Sequence, residues 1–135
     1  MTESEVLVLD ELAWSLAEPV PPRMSQYVGV LRAYAEDVGV YFDEKALIRK
    51  FSGQSLDVEY TIWVREEVGG DWLPLKKTVF LRFQKRPTYM ELLYEFHVAA
   101  FDDLSSQDHH LFEGFYFVRE NPESGVPIYQ VRLGS

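Results

Sequence analysis

The side chains able to hold a metal ion or move a proton gather in one stretch: Asp102, Asp103, Asp108, His109, His110 and Glu113. Zinc, iron and manganese sites are built from such groups, and a histidine beside a carboxylate can act as general acid or base. The spacing argues against both uses. There is no H-E-x-x-H pair, which would set two imidazoles on one helix face. Adjacent histidines in an extended segment point to opposite faces. The stretch reads as a polar connection between a helix and a strand, turned by Ser106 or Asp108, and no metal or cofactor is assigned to the chain.

Other chemistry is equally sparse. Cysteine is absent, which removes disulfides, thiolate metal sites and a cysteine nucleophile. No serine stands in a G-x-S-x-G context. Gly69-Gly70 precedes Asp71 and Trp72 rather than a Lys-Ser pair opening a helix, so it is a hairpin turn and not a phosphate loop. His97 falls on an apolar helical stripe, where a hydrogen-bonded core or interface histidine is expected before a catalytic base.

The elements that position these residues follow from periodicity. Residues 4–16 read as a short helix, with a strand as the alternative, and Pro19, Pro21 and Pro22 then form a stiff spacer. This divides the chain into an acidic N-terminal arm, 1–22, and one α+β domain, 23–135. Met24, Tyr27, Val28, Leu31, Tyr34, Ala35 and Val38 give a helix closed by Gly39. Asp43 caps a second, carrying Leu47, Ile48 and Phe51. Thr88 and Glu91 form a capping box for a third helix reaching about Leu104, apolar nearly all round and therefore packed on two sides.

Two hairpins complete the pattern. Leu56, Val58, Tyr60, Ile62 and Val64 alternate with polar residues, and the chain returns through Val79, Leu81 and Phe83. The expected register sets Val58 against Leu81, Tyr60 against Val79, Asp57 against Arg82 and Trp63 against Lys76. The last hairpin turns at Asn121-Pro122-Glu123-Ser124-Gly125, and both its faces are apolar, so each is expected to be covered. The fold class is α+β: N-terminal helices, then hairpin, helix and hairpin in a mainly antiparallel sheet packed against helices.

The net charge of −9 is unevenly spread. Residues 1–20 hold five acids and no base, whereas residues 72–90 hold five bases and no acid. An acidic surface repels phosphates, so nucleic acid is disfavoured, and a basic protein partner or plain solubility explains the charge. No apolar run approaches a membrane span, the N-terminus is acidic where a signal peptide is basic, and a cytoplasmic location is expected.

Three functional readings follow. The first is a non-enzymatic protein-interaction domain: a chaperone, adaptor, inhibitor or immunity-type protein. Its surface would comprise Trp63, Phe80, Trp14, Lys76 and Arg82, unless the arm folds over Trp63 and Phe80 through Leu12, Trp14 and Leu16. A homodimer is one way to cover surplus apolar surface. The second is a small-ligand binder or enzyme with a pocket between the third helix and the sheet, lined by Tyr94, His97, Tyr116 and Tyr129, with His109 or His110 at its mouth. The third is an acidic mimic of nucleic acid.

Overall fold

The computed structural model of the chain describes residues 7–134. Its elements are β1 (Leu7–Val8), β2 (Trp14–Ser15), α1 (Tyr27–Val38), α2 (Glu44–Ile48), β3 (Ser55–Val64), β4 (Leu73–Arg82), α3 (Tyr89–Leu104), β5 (Leu111–Glu120) and β6 (Pro127–Gly134). The fold is α+β, an open mixed sheet in the order β1-β5-β6-β3-β4 with three helices packed against it. β2 also pairs with β5, and β3 with β6 is the parallel pair. Among the described residues no helix is long and apolar enough to cross a membrane.

The helix ends are where local chemistry puts them. Gly39 closes α1 in the left-handed region at φ 75°, and its N–H reaches the carbonyls of Ala35 and Glu36. The Asp43 side chain accepts from the Lys45 N–H. At α3 the Thr88 hydroxyl accepts from the Glu91 N–H while the Glu91 carboxylate accepts from the Thr88 N–H, at 3.1 and 2.9 Å. α3 is buried on two sides, as its composition demands. Phe96 meets Tyr60 and Phe115 of the sheet edge-on, while Tyr94 and His97 meet Tyr27 of α1.

The arm departs from the expected helix, whose first residues lie outside the described ones. From Leu7 it forms two strands on the edge of β5, with Val8 opposite Phe115 and Trp14 opposite Phe112. Leu9, which a helical stripe would bury, reaches the core instead from a left-handed turn at φ 58° after β1, and Leu16 follows β2; the hydrogen-bonding edge of β5 sets this path. Val8, Leu9, Trp14 and Leu16 all enter the core. Between the strands the chain bulges over Gly114, which holds φ 112°. A Cβ there would lie 2.9 Å from the Asp10 Cα and 3.2 Å from the Val8 carbonyl oxygen, so no other residue fits without moving the arm.

The β3–β4 register is shifted by two residues from the expected one. Val58 faces Val79, Leu56 faces Leu81, Asp57 faces Phe80 and Trp63 faces Pro74. A two-residue slip leaves every side chain on its own face, so alternation cannot detect it. Arg82 still reaches Asp57, now diagonally, at 2.8 Å. The dry face is dry only from Leu56 to Ile62, because the far half of the hairpin projects past α3 and leaves Val64, Leu73 and Leu75 exposed.

The last hairpin also corrects an expectation. Bulges between Phe112 and Phe115 and between Phe117 and Arg119 shift its phase. Phe112, Phe115, Phe117, Tyr129, Val131 and Leu133 therefore all join the core side. The opposite face carries Tyr116, Arg119, Ile128, Gln130 and Arg132, and no helix covers it, although Ile128 is buried among its neighbours.

The Gly114 geometry sets a test. Gly114→Ala is expected to cost about 2 kcal/mol or more, from a positive φ and the clash with the arm. Urea unfolding measures it; a variant as stable as the parent would show that the arm does not hold this conformation.

Candidate functional site

The helix-free face of the sheet gathers exposed aromatic and basic side chains. The alternation of β3 and β4 puts Asp57, Glu59, Thr61 and Trp63 on this face with Lys76, Thr78, Phe80 and Arg82. β6 and β5 add Gln130, Arg132, Tyr116 and Arg119. Phe80 is 67% exposed and Trp63 40%. Of the expected interaction residues, Trp63, Phe80, Lys76 and Arg82 thus share one face.

Trp14 does not. It is 2% exposed, packed edge-on against Tyr27, Tyr34 and His97, and has no surface to offer a partner. Its burial also settles where the arm goes: it closes the core and leaves Trp63 and Phe80 uncovered.

The charges on the open face are ordered. Asp57, itself buried, holds Arg82, which also donates to the carbonyls of Leu56 and Leu81. Glu59 stands between Lys76 at 3.7 Å and Arg119 at 3.5 Å. Arg132 has no carboxylate within ion-pair distance among the described residues and lies over the Tyr116 ring, 4.2 Å from its centroid. Four bases meet two carboxylates here, so the face is positive although the chain is strongly acidic. Lys77 points to the other side, where Asp103 pairs with it at 3.7 Å and accepts from the Tyr60 hydroxyl at 2.6 Å. Burial, and then this bond to Asp103, push the Tyr60 phenol well above its ordinary range.

A cleft marks one end of the face. β6 pairs with β3 only along Asp57, Val58 and Glu59 and then diverges. The gap, about 410 Å³, is lined by Thr61, Trp63, His109, Tyr116, Gln130 and Arg132. Gln107 from the α3–β5 connection plugs the edge of β3 beside it: the Trp63 N–H donates to its Oε1 at 2.8 Å and its Nε2 donates to the Trp63 carbonyl at 3.2 Å. This amide clip fixes the backbone beneath Trp63. Periodicity carries no sign of it, because it joins residues 44 apart.

The expected pocket of Tyr94, His97, Tyr116 and Tyr129 does not form. Tyr116 stands on the open face, whereas His97 and Tyr129 are fully buried at 0% exposure. Tyr129 packs between Phe51 and Phe117, and the Tyr94 hydroxyl donates to the Pro21 carbonyl at 2.9 Å. Tyr116 stands opposite Gln130 and alternates with Phe115 and Phe117, so strand parity alone separates it from Tyr129, and core packing fills the space between the others.

The acidic and histidine stretch disperses. Among the described residues no three of its kind converge to hold a metal ion. His109 lines the cleft. His110 Nδ1 lies 2.9 Å from the Ser15 hydroxyl, which also accepts from the Ala17 N–H. Ser15 is buried at the β2–β5 junction, so this serine–histidine pair ties the arm to the sheet instead of presenting a nucleophile.

Comparison of the chain with protein-family models, with curated proteins and with solved structures gave no match.

His97 ties α3 to α1, its Nδ1 lying 2.9 Å from the Tyr27 hydroxyl. Among the described residues, neither its Nε2 nor Trp14 Nε1, both buried, has a hydrogen-bond partner of full geometry. Burial lowers the imidazole to about 4, and the backbone of Glu18 and Leu16 only partly offsets this. The folded protein therefore keeps His97 neutral, while the unfolded chain takes up a proton near pH 6.5. Stability is independent of this group above about pH 6.5 and falls as pH drops toward 4, by about 3 kcal/mol in all. Denaturant unfolding at stepped pH is expected to show a shallower acid limb for His97→Gln than for the parent; identical limbs would remove this role.

Proposed function

We propose that the chain is a non-enzymatic protein-interaction domain that docks a partner on the open face of its sheet. The observation that carries this reading is the exposure of Trp63 and Phe80 on a face that no helix covers. Large exposed aromatics ringed by charge have the composition of interface hot spots, where aromatic area is gained at little entropic cost because the scaffold is rigid. β3 is paired with β4 throughout its length, and the Gln107 clip holds its backbone at Trp63.

The face also indicates the sign of the partner. Overall charge suggests a basic one, yet Lys76, Arg82, Arg119 and Arg132 outnumber Asp57 and Glu59 where the aromatics stand. An acidic protein surface complements this face. A phosphate polymer fits less well, since it would meet the field of a chain with net charge −9 and two carboxylates in the middle of the platform. Chaperone, adaptor and inhibitor are roles of one such surface, distinguished by the partner.

The double variant Trp63→Ala/Phe80→Ala tests the reading. Both side chains are exposed, so stability should change by about 1 kcal/mol or less, while capture of a stoichiometric partner from the native host should weaken about 30-fold or more. Quantitative pull-down, with urea unfolding as the folding control, measures both. A folded double variant that retains its partner at full affinity places the interface elsewhere.

A further inference from the structure

The two ends of the sheet are finished differently. At one end β5 is flanked by the arm strands β1 and β2, each of two residues; at the other β4 runs for ten with no strand beyond it. The ladder shows which groups this bare edge offers. The Phe83 N–H donates to the Gln54 carbonyl at 2.9 Å, next to the paired Ser55 and Arg82. Residues in an antiparallel ladder alternate between bonding their neighbour and facing away from it. Arg82, Phe80, Thr78, Lys76 and Pro74 therefore turn their backbone groups outward. Pro74 fits this parity, because a proline facing outward forfeits no ladder bond.

The edge is guarded at one end only. Pro74 and the inward-pointing charge of Lys77 discourage a neighbouring strand there, in the way edge strands are commonly protected. Across residues 78–82 nothing comparable stands. Alongside this unguarded stretch lies a groove of about 640 Å³ between β4 and the start of α3. Met24 and Phe83 supply apolar wall, and Lys50, Arg82, Lys85 and Arg86 line it with positive charge against Glu91 and Glu95 on the helix side. A strand edge beside a helix is the geometry in which an extended peptide adds to a sheet, its backbone giving affinity and its alternate side chains specificity.

We propose that β4 accepts an extended, acidic peptide segment of the partner as an additional strand along residues 78–82. Alternate apolar side chains of the segment enter the groove, and its carboxylates meet the basic side chains around the edge. The proposal rests on the protein-interaction reading and specifies its chemistry. A second copy of the chain is the poorer occupant, because pairing β4 with β4 would bring Lys76, Lys77 and Arg82 of each copy together.

Two blocked and capped synthetic peptides serve as probes: acetyl-Val-Glu-Val-Glu-Val-Glu-Val-amide and its lysine counterpart. On the ¹⁵N-labelled full chain, the glutamate peptide should give saturable shifts and slower hydrogen exchange at the Phe80 and Arg82 amides. The lysine peptide should bind at least about ten-fold more weakly. Thr78→Pro removes an outward donor at the same parity as Pro74 and should weaken the glutamate peptide about ten-fold or more. The glutamate peptide N-methylated at alternate residues tests the same bond on the unaltered protein, should that variant fold poorly. Equal binding of both charges, full binding of the methylated peptide, or no saturable shift overturns the proposal. So does concentration-dependent dimerisation that Thr78→Pro abolishes. If the peptide fails while the Trp63/Phe80 double variant still loses its partner, strand addition is wrong and docking on the open face stands.

Discussion

The rest of the structure depends on burying α3 from two sides. Eight of its sixteen residues are buried, and they do not form one stripe. Phe96, Ala100 and Leu104 face the core shared with the sheet, and Tyr94 and His97 face α1 and the arm. A helix this apolar requires a second cover. α1 provides part of it, but Trp14 completes it, packed within 6 Å of the rings of both Tyr27 and His97. The arm must therefore reach the far side of the molecule, and the edge of β5 is the rail that carries it there. Gly114 lets the arm bulge without losing that rail, and the Ser15–His110 bond pins its end.

Spending all helical cover on one side leaves the other side of the sheet bare. Its composition is consistent with that exposure: Asp57 and Glu59 sit on β3, inside the sheet, and hold Arg82 and Lys76 of β4 and Arg119 of β5. These pairs are partly exposed and contribute little to stability individually. Their effect is to hold long basic side chains in place around Trp63 and Phe80. A face stabilised by loose hydration would not need such order.

Much of this was readable from residue types. Thr88 with Glu91, Asp43 and Gly39 mark helix ends through bonds made within four residues, and the alternation from Leu56 to Ile62 reports a half-buried strand directly. What local pattern could not supply were features set by distant partners. The β3–β4 register slipped by two because period-two alternation is blind to even shifts. The arm reads as a helix because Leu9 and Leu16 fit a helical stripe, whereas two-residue strands broken by a turn at Leu9 leave no periodic pattern. Simple alternation sets Phe112 on the face of Tyr116, and the bulge that turns it to the core shows in sequence only as an ordinary Glu-Gly. That Trp63, Phe80, Lys76 and Arg82 share one face of the sheet is legible because it needs only strand parity. Trp14 and the Gln107 clip were beyond reach for the same reason as the register: each is decided by contacts across dozens of residues.

The charge distribution links fold and surface. Acid lies in the arm, in α3 and beyond, while the bases of residues 72–90 fall on one edge strand and the turn after it. Were those bases spread evenly, the chain would present a uniformly negative exterior and repel any acidic partner at every approach. Concentrated on β4, they create a local attraction inside a repulsive global field, which acts over roughly a Debye length of about 8 Å at physiological salt. Such an arrangement selects for a close, oriented encounter and against diffuse association with polyanions or with other copies of the chain. The same residues that protect the edge from indiscriminate pairing, Pro74 and Lys77, occupy its far end. Beyond that guard, the stretch between Thr78 and Arg82 is where backbone availability, apolar groove and positive charge coincide.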